Sequence, residues 1–161
     1  MQHTHPLTVP KLTRRAALAS ASHGAVLALL GASLLLPALA QTPAPAAKKQ
    51  RVVIQVSDGD EQKWNLAMNN AKNIQEDLGA ANVEVEIVAY GPGLGMLKAE
   101  ATTATRVKDS VAAGVHIQAC QNTMRNMKLT VADMNPAVGY VPSGATAIMK
   151  RQGEGWAYLR P

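Results

Sequence analysis

Between residues 51 and 159 the hydrophobic period of the chain switches repeatedly, and this alternation limits the folds open to it more than any other feature. Val52, Val53, Ile54 and Val56 form a β-branched run that reads as a buried strand. It ends at the turn-forming Asp58, Gly59 and Asp60. Trp64, Ala67, Met68, Ala71, Ile74 and Leu78 then recur at three- and four-residue spacing. That spacing puts one apolar stripe on a helix over residues 60–78, which Gly79 stops. A second strand over residues 83–90 alternates Val and Glu in its first half and ends at Gly91-Pro92-Gly93. A helix over residues 104–113 follows, with Val107 and Val111 inward and Gly114 as its stop. The third strand, residues 115–119, delivers Cys120, and a short helix covers residues 122–127. Thr130 and Asp133, three apart, open a brief turn before a fourth strand over residues 138–141. Ser143 caps a helix that runs to Arg151, and residues 155–159 form a fifth strand. Strands and helices alternating at this spacing predict an α/β fold: a single three-layer sandwich with a mostly parallel sheet of about five strands.

The first 40 residues have a different grammar. Lys11, Arg14 and Arg15 precede an apolar run from Ala25 to Leu36, and Pro37-Ala-Leu-Ala40 closes it with a small-x-small pattern. These are the parts of an export signal cleaved after Ala40. The run is shorter than the roughly 20 residues that a membrane-spanning helix needs. Thr13-Arg14-Arg15 resembles a twin-arginine signal, with the general secretory route as the alternative. Either route predicts a periplasmic protein with no stable membrane association once the signal is removed. Residues 41–50, holding Pro43 and Pro45 among alanines, read as a Pro/Ala-rich linker, and the domain occupies residues 51–161.

The leader also accounts for most of the positive charge. The full chain has 16 Lys+Arg and 11 Asp+Glu, a net of +5. Without the three cations of residues 1–40, 13 remain against 11, a net of +2. The five aromatics (Trp64, Tyr90, Tyr140, Trp156, Tyr158) are not interleaved with a basic stripe. A nucleic-acid partner is therefore not expected.

The lone Cys120 excludes an intramolecular disulfide and any multi-cysteine metal site. His116 is the only histidine beyond the leader, so no metal site is expected. Gly91-Pro92-Gly93-Leu94-Gly95 lacks the Gly-Lys-Ser/Thr ending of a P-loop and the spacing of a dinucleotide fingerprint. It reads as a sharp turn, and no cofactor is expected. In a parallel sheet functional groups gather at the carboxyl ends of the strands, which is where Cys120 falls. The start of a helix favours a thiolate, so Cys120 is the candidate nucleophile. Asn122 and Thr123 beside it, and Asp58 after the first strand, are candidate supporting residues. The alternative is a cysteine packed as a small apolar residue. His116 shares its side of the strand but stands about 13 Å away at roughly 3.3 Å per residue, too far for a dyad.

Several separated segments, in order, carry a family resemblance. They are Ser57-Asp58, Trp64, Tyr90-Gly91-Pro92-Gly93, Ala119-Cys120 with Asn122-Thr123-Met124, Val141-Pro142-Ser143-Gly144, and Gly155-Trp156-Ala157-Tyr158. Together they resemble the DsrE/DsrF-like family. The resemblance implies a compact α/β domain that assembles into homo-oligomers. It also implies sulfur relay, in which Cys120 carries sulfur as a persulfide between a donor and an acceptor protein. Two functions stay open at the level of sequence. One is a sulfur carrier or sulfurtransferase-like protein using Cys120. The other is a non-enzymatic periplasmic oligomeric binding or assembly module with a structural cysteine.

Overall fold

The computed structural model describes residues 48–161, so the export signal and most of the linker lie outside the described residues. Five strands form one sheet: β1 (Gln50–Val56), β2 (Val83–Ala89), β3 (His116–Cys120), β4 (Gly139–Val141) and β5 (Ala157–Leu159). Their spatial order is β4-β3-β2-β1-β5, and every pairing is parallel. The two most apolar strands lie at the centre, paired along their full length from Gln50↔Val83 to Val56↔Ala89. The two edge strands are three residues each.

Strand alternation divides the side chains between two faces. Val52, Ile54 and Val56 of β1, Val85 and Ile87 of β2, and Ile117 and Ala119 of β3 point to the first face. Three helices cover it: α1 (Glu61–Leu78), α2 (Ala104–Ala112) and α3 (Gln121–Asn126). The first part of the expected α1 stripe is buried, Trp64, Ala67, Met68 and Ala71, while Ile74 packs at its edge and Leu78 is exposed. Its N-cap is Asp60, whose carboxylate accepts from the Gln62 amide at 2.8 Å.

The turn expected after β2 is in fact a 3-10 helix, Gly91–Leu97, whose Leu94, Met96 and Leu97 are fully buried. Gly93 makes this possible. A Cβ there would stand 2.4 Å from the Val56 carbonyl oxygen, so only glycine lets the segment lie against the end of β1. The glycines of this stretch therefore serve backbone packing. Asn135, fully buried, ties the segment to α2 by donating to the Ala104 carbonyl at 2.9 Å, while its own amide donates to the Leu97 carbonyl at 2.8 Å.

Among the described residues, α4 (Gly144–Gly153) is the one helix that covers the second face. Its apolar cluster has four buried residues, Val53, Val88, Ile148 and Trp156, against twenty-one on the first face. Each buried aliphatic side chain contributes about 1.5–3 kcal/mol. Most of the hydrophobic stabilisation therefore sits on the first face.

Candidate functional site

Cys120 is the last residue of β3 and the N-cap of α3, at the carboxyl edge of the sheet as its place in the sequence implies. The register opposes Cys120 to Val141, so the chain leaving β4 turns back over the sulfur through Pro142 and Ser143. The Gly144 amide, at the start of α4, donates to the Cys120 Sγ at 3.2 Å. Gly144 reaches this position because it has no side chain: a Cβ would come within 2.9 Å of Tyr90. The thiol is 4% exposed.

Burial pushes the Cys120 thiol up, but hydrogen bonding outweighs it and leaves the pKa lowered from its ordinary value. The Thr123 hydroxyl contributes most to the lowering, followed by the amides of Thr123, Gly144 and Asn122. Thr123 is itself anchored, since its Oγ1 accepts from the Gly91 amide at 3.0 Å. The loops after β2, β3 and β4 thus converge on one sulfur.

The other sequence candidates lie differently. Asn122 is exposed; its amide donates to the Pro142 carbonyl at 3.2 Å and its side-chain oxygen accepts from Arg125. It acts on Cys120 through its backbone. Asp58 is engaged by Lys63 at 3.2 Å and by Arg160 at 3.3 Å, and these bonds hold its carboxyl below the ordinary range. Its backbone carbonyl accepts from Trp64 Nε1 at 2.6 Å, so Asp58 fastens α1 and the C-terminal residues to the end of β1. His116 is exposed at the opposite end of β3 from Cys120. No group of three or more His, Cys, Asp or Glu among the described residues could hold a metal ion.

A second constellation went unread in the sequence. Glu86, in the middle of β2, is 2% exposed beneath α4. Arg151 donates to its Oε2 from Nε at 2.8 Å and from Nη2 at 2.6 Å. The bond to Glu86 raises the Arg151 pKa. The Arg151 guanidinium also lies 4.6 Å from the centre of the Trp156 ring, and Arg51 lies 5.4 Å from the same ring. Trp156 Nε1 donates to Glu154 at 3.1 Å, and Arg51 donates to the Glu154 carbonyl at 2.5 Å. Beside this cluster a groove of about 290 Å³ runs along α4, walled by Val141, Pro142, Thr146, Ala147 and Lys150. The clue in the sequence was the Glu86 position itself: an acid centred in a strand whose neighbours are covered on both faces must have a partner.

An all-parallel α/β sandwich with a hydrogen-bonded thiol at the carboxyl end of an inner strand defines the class of protein. A family model described as DsrE/DsrF-like matches residues 50–161, and the chain belongs to that family. Among solved structures, it is similar to the protein of unknown function MTH1491 from Methanobacterium thermoautotrophicum. The identity is 35% and the TM-score 0.67, over 70% of this chain and all of that one. The conserved protein of unknown function BT1422 from Bacteroides thetaiotaomicron shares the fold, at 14% identity and a TM-score of 0.58, over 70% of this chain and 95% of that one. No curated protein matches the chain. No helix among the described residues is long and apolar enough to cross a membrane.

Proposed function

We propose that the domain is a non-enzymatic, oligomeric binding or assembly module, delivered to the periplasm by its leader, in which Cys120 is structural. The observation that carries this reading is the state of the sulfur: 4% exposed, with the Gly144 amide donating to it at 3.2 Å. A buried sulfur used as an acceptor pins the start of α4 to the end of β3. The expected result is that an alkylating reagent labels the native thiol far more slowly than the denatured one. Labelling of the native protein at the denatured rate would overturn the structural assignment. Size measurement of the native protein tests the oligomer, and the intact mass of periplasmic material tests cleavage after Ala40.

A second reading, a sulfur carrier, is favoured by the hydrogen bonds from Thr123 and the neighbouring amides that lower the thiol pKa. In it the Cys120 thiolate attacks a sulfane sulfur of a polysulfide. A new S–S bond forms on Cys120, and the polysulfide leaves as an anion one sulfur shorter. A partner thiolate then takes the outer sulfur and regenerates the Cys120 thiolate. Mass spectrometry after polysulfide treatment should find one added sulfur on the wild type and none on Cys120→Ser; an unmodified wild type excludes this reading.

A further inference from the structure

The two faces of the sheet are closed by very different means, and the segment that closes the second is weakly built. Helix α4 buries only Gly144 and Ile148, whereas α1 buries Trp64, Ala67, Met68 and Ala71. Residues 143–159 leave the sheet after the three-residue β4 and return to it as the three-residue β5. Gly155, with φ of 84°, forms the turn between α4 and β5. Trp156 links the two elements, with its ring packed beneath the Arg151 guanidinium. At the far end of α4 the polar anchors are Arg151 on the buried Glu86 and Arg51 on the Glu154 carbonyl, and at the near end the anchor is the Gly144 amide on the Cys120 sulfur.

We propose that residues 143–159 form a strap that opens as a unit while the rest of the sheet stays folded, and that the Arg151–Glu86 pair is its latch. Regions with little buried apolar surface open at lower cost than the core. Few apolar contacts hold α4 down, and its ion pair with Glu86 spans 65 residues of sequence. Opening uncovers Val53, Val88 and Glu86 on the second face and takes the Gly144 amide off Cys120. The strap thus sets when the second face of the sheet, and with it the thiol, can be reached. This goes beyond the module reading: the Cys120 sulfur is the near anchor of the strap and also its built-in reporter.

Amide hydrogen exchange of the full chain in low denaturant, read by mass spectrometry, tests the strap directly. Peptides covering residues 144–153 should exchange through an opening that β1 and β2 do not share. Exchange of α4 and β1–β2 through one common opening would overturn the proposal on the wild type alone. The latch is tested with Arg151→Met, which keeps an apolar stem over Trp156 and leaves Glu86 unpaired. It should speed native labelling of Cys120 and exchange of residues 144–153 by about tenfold or more. Labelling of Cys120 and exchange of residues 144–153 at the wild-type rates would show that the pair does not latch the strap. Fast wild-type labelling with α4 protected as strongly as β1–β2 would remove both the strap and the structural role of Cys120. Slow labelling with α4 protected in that way would remove the strap alone.

Discussion

The two faces of this sheet solve the same problem with different chemistry. The first face buries an apolar layer under α1, α2, α3 and the 3-10 segment, so its stability is spread over many small, additive contacts. The second face concentrates its stability in a half-buried ion pair, one tryptophan and the cap of a ten-residue helix. The difference teaches that covering a parallel sheet does not require equal layers. One thick core can hold the fold while the opposite side carries a polar device that can give way.

That contrast can be broken by substitution. Trp64→Ala should have the largest effect, a loss of about 3–5 kcal/mol in denaturant unfolding, because it empties the first core and removes the bond to the Asp58 carbonyl. Arg151→Met should cost somewhat less, about 2–3 kcal/mol, since it strands a buried carboxylate but removes an arginine that is 34% exposed. Adding Glu86→Leu to it should recover most of that loss, because replacing both partners removes the uncompensated charge. A double variant no better than the single one would mean that packing, rather than charge, holds α4. Ser143→Ala should lose about 1 kcal/mol with the α4 cap, measured in the same unfolding experiment.

The smallest effect is a pH dependence. The folded state lowers the Cys120 pKa from its ordinary value of 9.0, so it favours the thiolate. This stabilisation is fully present above the unfolded pKa and disappears as pH falls through the folded one. The unfolding free energy of the wild type relative to Cys120→Ser should therefore rise as pH rises through the interval between those two values. A flat difference across that interval would show that the hydrogen bonds to the sulfur do not discriminate between thiol and thiolate.

Much of the architecture was legible because it is local. The stripe from Trp64 to Ala71, the cap at Ser143 and the paired Thr130 and Asp133 all report on residues a few positions away. The place of Cys120 at a strand end was equally legible. Its surroundings were not, because the bond from Gly144 depends on how β4 is placed beside β3. The 3-10 helix at Gly91–Leu97 was hidden behind its glycines and proline, which read as a turn until the carbonyl of Val56 is seen against Gly93. Glu86 was missed for a similar reason. Alternation of Val and Glu in β2 suggests one apolar and one polar face, and nothing local shows that a helix 65 residues later brings Arg151 to that face.

The brevity of the outer strands has a consequence for how such a molecule meets its own copies. With three residues in β4 and three in β5, each lateral border exposes few unpaired amides and carbonyls. A border that short is a poor template for adding a foreign strand, so growth of the sheet from molecule to molecule, the route to fibrils, is cut off early. Any higher-order assembly is then directed to side-chain contacts on the helices, where geometry can close a ring instead of extending a ribbon.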